Sequence, residues 1–374
     1  MKKCKYGQYF TTNKFLKDEV EKLILNNPKI ILEPSVGRGD LIEHLSKDIS
    51  FHLFEIDETI KLLDSLNYKV TYTDFLKEDI KNTYDTIIGN PPYVKTKTGN
   101  LYLEFIKKCF NLLNDNGELI FIVPSDFIKL TSSKKIIEEL LKYGTFTHFI
   151  HPNSEKLFEN ASIDVIIFRY CKKISDNKVF FNGEEKYLIN SNGIITFSTK
   201  NKSDDKKLED YFNVYVGMVT GKEEVFKNKD FGNIEMLNDK NKLDSYILVN
   251  NFPTENKDLN EYLLKHKEIL LDRKIRKFNE SNWFQWGALR NIKTIKENLG
   301  KKCIYMKNLT RDSEIAFVDK VQYFGGSLIM LIPKSDIDLD KTIQYLNSFE
   351  YRKNYIYSGR FKIGHRQICN SSLT

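Results

Sequence analysis

Two consecutive prolines, Pro91 and Pro92, fix where this chain can be regular. Neither has an N–H to donate, so helix and sheet ladder both stop there. They follow an apolar run, Asp85-Thr86-Ile87-Ile88-Gly89, which reads as a buried strand closing on a glycine. A stiff loop is therefore expected at the C-terminal end of a strand, the edge at which open α/β sheets bind ligands. That loop, Asn90-Pro91-Pro92-Tyr93, presents an amide side chain, a rigid carbonyl and an aromatic face together. The set suits a flat group bearing an exocyclic NH2. An amide oxygen and a carbonyl accept its two N–H bonds while its ring stacks on the tyrosine. Taken alone, the tetrapeptide reads equally well as a proline-rich turn with a surface tyrosine.

The flanking pattern decides the fold class. Residues 29–33, 51–56, 69–72, 86–89 and 118–123 read as short strands. Helical patterns fall between them near 40–46, 58–66 and 101–113. This alternation predicts an α/β domain with a mainly parallel sheet. A further helix over 134–142 precedes a strand near 146–150. The segment 162–170 is strongly β-forming and follows a loop with no crossover helix, so it is expected antiparallel at the far end of the sheet.

After about residue 172 the pattern changes. Asn, Gly, Lys and Asp become frequent through 190–205, which reads as a linker or surface hairpins. From about 207 onward the alternation fades and aromatic residues cluster with basic ones, as in Trp283-Phe284-Gln285-Trp286-Gly287 and over 355–366. The length of 374 residues accommodates two domains, taken as 1–200 and 207–374, the second of mixed α+β type. Net charge is +7, and the excess sits late: residues 265–374 carry 21 Lys and Arg against 11 Asp and Glu. A phosphate-rich partner accounts for that asymmetry, and a general lysine bias competes with it.

Hydrophobic residues make up 41% and charged residues 29%, which points to a soluble globular protein. No apolar run approaches the roughly 20 residues that span a bilayer, so no membrane partner is expected. No apolar segment follows Met1-Lys2-Lys3, so no secretory signal is read. Five scattered cysteines without Cys-x-x-Cys spacing suggest free thiols in a reducing, cytoplasmic setting and no zinc.

The run Glu33-Pro34-Ser35-Val36-Gly37-Arg38-Gly39-Asp40 follows the first strand directly. Gly37 and Gly39 allow a tight turn and close approach to a ligand. Glu55 ends the second strand about 20 residues further on, where a carboxylate accepts ribose hydroxyls. Asp74 ends the third strand, placed to accept from an adenine amino group while Phe75 packs the ring. Each acid alone reads as a surface residue or cap; three at successive strand ends form a pattern. Upstream, Gly7-Gln8-Tyr9-Phe10-Thr11-Thr12 precedes a helix starting near Asn13, with Thr11, Thr12 or Asn13 as its cap.

In this order the chain resembles the N6-adenine DNA methyltransferases of the gamma arrangement, the Taq-type enzymes of restriction–modification systems. The resemblance is good over residues 7–171 and looser beyond, where Val216-Gly217-Met218-Val219-Thr220-Gly221 is similar to the opening of the family's recognition domain. It implies a Rossmann-like methyltransferase sheet with helices on both faces, followed by a target-recognition domain. It implies S-adenosylmethionine as cofactor, held by Phe10, Thr11, Thr12, Glu33, Pro34, Ser35, Gly37, Gly39, Glu55, Ile56, Asp74, Phe75 and Asn90. It implies catalysis by Asn90, Pro91, Pro92 and Tyr93, with Phe158 packing on an extruded adenine. Double-stranded DNA is the expected partner, contacted by Arg290, Arg360, Lys362, Arg366 and Gln367. A monomer is expected, and a separate cognate endonuclease stays open.

Two rival readings stand beside it. One is an N-methyltransferase acting on guanine N2 of RNA or on protein glutamine, since such enzymes also carry Asn-Pro-Pro-aromatic loops. The other is a non-catalytic DNA-specificity subunit. Asp176 with Glu184-Glu185-Lys186 loosely imitates a nuclease metal site, but the segment is too short for a nuclease domain, so no nuclease activity is expected.

Overall fold

The computed structural model describes residues 9–373 except 97–98, 160, 200, 202–205 and 358. Gly7 and Gln8 of the N-terminal motif, and Asn160 beside Phe158, lie outside the described residues. The chain divides into two compact units, Met1–Asp204 with Tyr357–Gly359, and Asp205–Ile356 with Arg360–Thr374.

In the first unit ten strands form one sheet: β1 (Ile30–Glu33), β2 (Ser50–Glu55), β3 (Val70–Tyr72), β4 (Tyr84–Gly89), β5 (Leu113–Pro124), β6 (Thr145–Ile150), β7 (Val165–Cys171), β8 (Lys178–Phe181), β9 (Glu184–Ser191) and β10 (Ile194–Ser198). Their order is β10-β9-β8-β6-β7-β5-β4-β1-β2-β3. β5, β4, β1, β2 and β3 run parallel. The chain lays β2 and β3 on one side of β1 and then returns to place β4 on the other side. That reversal opens a crevice beyond the C-terminal ends of β1 and β4, where α/β sheets hold ligands. Glu33 is the last residue of β1, and Asn90 follows β4 directly.

Side chains of the central strands alternate between the two faces, as the two-residue strand period requires. Leu32, Ile87, Leu119, Phe121 and Phe168 enter one core. Ile31, Ile88, Ile120, Ile122 and Ile167 enter the other. Helices α2 (Leu101–Leu112) and α3 (Lys134–Tyr143) cover the first face. In α2, Tyr102, Phe105, Ile106, Cys109 and Phe110 are buried at helical spacing. Helix α1 (Lys14–Lys22) covers the second face with Leu16 and Val20, and the Asn13 side chain caps it by accepting from Leu16 N–H at 3.3 Å.

Two sequence expectations are corrected. The segments 40–46 and 58–66 form successive turns, not helices. Ile42 N–H bonds Gly39 C=O at 3.1 Å and Leu45 N–H bonds Ile42 C=O at 3.2 Å, a turn pattern that does not propagate. Leu63 N–H is drawn instead to Arg38 C=O at 2.9 Å, which ties the second segment to the loop after β1. β7 is antiparallel, as expected, but lies inside the sheet between β5 and β6. Of the two readings of 190–205, a linker or surface hairpins, the hairpin describes residues 190–198: β9 and β10 pair around Asn192-Gly193, both at positive φ, and with β8 they extend the sheet.

One ion pair crosses the interior. Arg169 on β7 bonds Glu118 on β5 at 2.8 Å, and Glu118 also accepts from Thr86 Oγ1 at 2.8 Å and from the N–H groups of Leu25 and Asn26 at 3.2 Å. Every lone pair so used offsets part of the desolvation of a fully buried carboxylate.

The second unit is mixed α+β. Phe212–Val216, Leu328–Pro333, Lys302–Lys307 and Ala316–Lys320 form a four-stranded antiparallel sheet in that order. A separate hairpin pairs Ile234–Asp239 with Lys242–Tyr246. Gly217 lies where backbone meets backbone: a Cβ there would stand 2.0 Å from Gly325 C=O. Among the described residues no helix is long and apolar enough to cross a membrane.

Candidate active site

A cavity of about 280 Å³ lies in the first unit, and its lining joins the ends of β1, β2, β3 and β4. Glu33, Pro34, Ser35, Gly37, Glu55, Ile56, Asp74, Phe75 and Asn90 all line it, as do Phe10 and Thr11 from the N-terminal segment. Gly39 and Thr12 stand outside the lining. The structure therefore gathers most of the sequence-assigned cofactor residues around one space.

The loop after β1 is shaped by Glu55. Its Oε2 accepts Gly37 N–H at 2.9 Å, and its Oε1 accepts the N–H groups of Ile56 at 2.9 Å and Asp57 at 3.0 Å. Sequence reading gave Glu55 only a ligand; the fold also makes it the post around which the loop turns. Gly37 sits at φ +55°, and a Cβ there would meet the Phe10 ring at 3.3 Å. Arg38 stacks its guanidinium on the other part of this arrangement, 4.7 Å from the Phe10 centroid. Gly39, at φ +84°, would place a Cβ 2.5 Å from Leu66 Cδ1. Both glycines are thus required by conformation and by space.

Electrostatically the cavity floor is acidic. Glu33 is 2% exposed, and its Oε2 has no hydrogen-bond partner among the described residues. Burial, reinforced by the neighbouring charges of Asp40 and Glu55, holds its carboxyl well above the usual carboxylate range. Ser35 Oγ is likewise buried without a partner. An orphaned acid and hydroxyl facing one space fit a ligand that carries a cationic, hydrogen-bonding end. Asp74 caps its own turn through Leu76 N–H at 3.1 Å and pairs with Lys77 at 2.9 Å. Phe75 stacks on Phe105, with centroids 5.6 Å apart and planes 19° from parallel. Phe105 and Leu101, both from α2, line the same wall and carried no recognisable sequence signal.

Asn90 is held at the cavity edge by its amide nitrogen, which donates to Tyr9 C=O at 3.0 Å and to Thr11 Oγ1 at 3.1 Å. Those two bonds set which way the amide faces, so Oδ1 turns toward Tyr93, whose hydroxyl donates to it at 2.5 Å. Burial pushes the Tyr93 phenol well above its ordinary value, so it stays a donor. Pro92 lines the cavity and Pro91 is buried beneath it. Phe158 is 5% exposed and belongs to the core on the α1 face. Its ring nevertheless lies 5.8 Å from Tyr9 and 6.4 Å from Tyr93, and Tyr9 lies 5.6 Å from Tyr93. The three rings form one cluster beside Asn90. Tyr9 belongs to the run Gly7–Thr12 read from the sequence, but nothing local to it gives it a part beside Asn90.

In the second unit the sequence-assigned basic residues separate by role. Arg290 is exposed, while Arg360, Lys362 and Arg366 are half-buried. Gln367 is a correction. It is 3% exposed, and its Oε1 accepts Gly364 N–H at 3.0 Å, so its amide caps its own helix, His365–Asn370, and is not displayed for base contact. Arg273 is also internal. It donates to the carbonyls of Leu270, Thr220 and Trp283 at 2.7, 2.7 and 2.5 Å and packs 3.8 Å from the Phe278 centroid. Burial lowers its pKa to about 10.

Fold and site fit S-adenosylmethionine as the cofactor. Residues 36–158 match the family model described as Eco57I restriction-modification methylase. The chain is similar to the Type II methyltransferase M.HincII of Haemophilus influenzae, 31% identical over 219 residues, covering 52% of this chain and 43% of that protein. It is also similar to M.AccI of Acinetobacter calcoaceticus, 30% identical over 211 residues, covering 48% of this chain and 39% of that protein. The matched region thus spans less than half the length of either relative. Among solved structures, the Type IIL restriction-modification enzyme MmeI, determined in complex with DNA, has a TM-score of 0.56 over 95% of this chain and 63% of that one at 11% identity, a likeness of fold.

Proposed function

We propose that this chain is a site-specific DNA methyltransferase of the gamma arrangement that methylates N6 of an adenine swung out of duplex DNA. The observation that carries the reading is the fixed amide of Asn90. Its nitrogen is committed to Tyr9 and Thr11 and its oxygen accepts the Tyr93 hydroxyl, so the amide of a cavity-lining residue is held in one orientation, with a second lone pair on the oxygen left to accept from an amine.

When bound, S-adenosylmethionine supplies an electrophilic methyl carbon on its sulfonium. Glu33 and Ser35, with their unpartnered buried oxygens, would hold its cationic amino acid end. Glu55 would accept from the ribose, and Asp74 with Phe75 would meet its adenine. The amine to be methylated is a poor nucleophile because its lone pair is delocalised into the ring. Asn90 Oδ1 and the Pro91 carbonyl accept its two N–H bonds and hold the nitrogen nearer tetrahedral, with the lone pair free to attack. Those bonds strengthen as positive charge grows on nitrogen, which raises rate and not merely affinity. No strong base is needed before attack, since the proton leaves afterwards. For the target to reach this corner it must leave the base stack, at a cost of a few kcal/mol. Stacking on Tyr93, with Phe158 beside it, returns about 1–3 kcal/mol.

The second unit is assigned the recognition of duplex DNA, with Arg290, Arg360, Lys362 and Arg366 as its contacts. Its support is the basic excess of residues 265–374. A cytoplasmic setting and a separate cognate endonuclease accord with this reading. The test is incubation of the purified chain with radiolabelled cofactor and DNA, RNA or a release factor in parallel. Label on DNA alone, recovered as N6-methyladenine, is expected; label on RNA or protein overturns the assignment.

A further inference from the structure

Phe158 lies in the segment that joins β6 to β7, residues 151–164, whose described residues form no helix or strand beyond one isolated bridge, Phe158 with Ala161. Core packing holds the Phe158 ring on one side, and the ends of its segment are fixed as well. His151, the first residue after β6, places Nε2 2.9 Å from Oδ1 of Asp164, the last residue before β7. The other carboxylate oxygen, Oδ2, accepts from Ser125 Oγ at 2.5 Å, and Ser125 N–H bonds the Asp164 carbonyl at 2.9 Å. Ser125 follows the end of β5, so one carboxylate joins the ends of three neighbouring strands. The group is interior: His151 is 3% and Ser125 1% exposed. His151 is itself fixed by Asn153 Oδ1, 2.7 Å from Nδ1, and by Asn182 Oδ1, which accepts its N–H at 2.7 Å. Ile163 N–H reaches back to Glu155 C=O at 3.0 Å, which narrows the segment above the joint.

We propose that His151, Asp164 and Ser125 form a clasp that positions Phe158 for capture of the extruded base. The inference rests on the base-flipping reading above. These three are positioning residues: none lines the cofactor cavity, and Phe158 is the part of their segment that reaches Tyr9 and Tyr93. A polar joint of this kind is suited to the task because it closes the loop in one geometry, where apolar packing alone tolerates several. Loss of the joint leaves Asn90 and the glycine loop in place and frees the ring.

The test uses the full chain and duplex DNA with 2-aminopurine at the target adenine. Wild type should show the fluorescence rise of extrusion. His151→Ala, and separately Asp164→Asn, should lose about tenfold in capture, on the scale of one buried polar coupling. KM for DNA should rise more than kcat falls, and cofactor affinity should be unchanged. In a Phe158→Ala background, His151→Ala should add nothing further. Additive losses in the double variant, or cofactor affinity falling in step with capture, would show general structural damage and overturn the clasp. Unchanged extrusion in both single variants would overturn it as well. A wild type that never extrudes the base overturns the underlying reading instead, and the inference falls with it.

Discussion

The hydroxyl of Tyr93 donates to Oδ1 of Asn90 across 2.5 Å, and Ile122 C=O lies 3.2 Å from the same hydroxyl. The ring proposed to stack on the base and the amide proposed to accept from its amine are therefore one hydrogen-bonded unit. Their roles separate by substitution. Tyr93→Phe keeps the ring and releases the amide, so kcat should fall roughly 3–10-fold, the worth of one hydrogen bond, with extrusion retained. Tyr93→Ala should also lose extrusion. Steady-state kinetics beside 2-aminopurine fluorescence distinguish the two, and equal loss of extrusion in both variants contradicts the division.

Glu33 gives a pH dependence. Its folded-state pKa is raised by burial, then by Asp40 and Glu55. The folded chain therefore binds more protons than the unfolded chain once pH exceeds the ordinary carboxylate range. Stability of the cofactor-free protein should be fullest below that range and fall as pH rises through the raised value. Glu33→Gln removes this loss, so thermal unfolding across pH should show the variant gaining on wild type as pH rises. The same variant should bind S-adenosylmethionine about 10–100-fold more weakly, the scale of a charged hydrogen bond, by calorimetry. A constant gap in melting temperature at every pH would contradict the assignment.

Gly37 tests the cofactor loop. An alanine there keeps a left-handed φ that costs about 1–2 kcal/mol and places its methyl 3.3 Å from the Phe10 ring. Gly37→Ala should weaken cofactor binding roughly tenfold, one factor of ten per 1.4 kcal/mol. Methyl transfer at saturating cofactor should change little. Wild-type affinity in this variant would show that the loop does not need its glycine.

Two arginines of the second unit should behave oppositely. Arg273→Ala removes the guanidinium that three carbonyls accept from and should destabilise by about 3 kcal/mol, the scale of hydrogen bonds to a buried charged group, seen as a lowered urea midpoint. Arg290 is exposed, and Arg290→Ala should leave stability unchanged. If it contacts a phosphate, the variant reduces the slope of log affinity against log salt by about one. A salt-independent affinity in wild type would remove this unit as the DNA contact.

Much of the first unit was legible because its strands are short apolar runs ending in chemistry: Glu33, Glu55, Asp74 and Asn90 each stand at or just after a strand end. Local pattern fixes such runs. The turns over 40–46 and 58–66 were not legible, because their leucines recur at helical spacing; in the second, Leu63 N–H goes to Arg38 C=O, outside the segment. β7 was placed too far out, since pairing partners depend on tertiary contacts that no run of its own residues encodes. Tyr9 and Phe105 joined the site only through the fold. Gln367 shows the converse: a polar residue in a basic tail looked available for reading bases, and the helix cap it makes is invisible without coordinates.

The most direct test of the central claim is nucleoside mass spectrometry of DNA treated with the wild-type chain and with Asn90→Ala, each with S-adenosylmethionine. Wild type should yield N6-methyladenine. Asn90→Ala should lower its rate by about 10²–10³-fold, the scale of a lost transition-state hydrogen-bonding group, while binding cofactor normally. A methyl group found on another base or atom, or undiminished turnover without the Asn90 amide, would contradict the account.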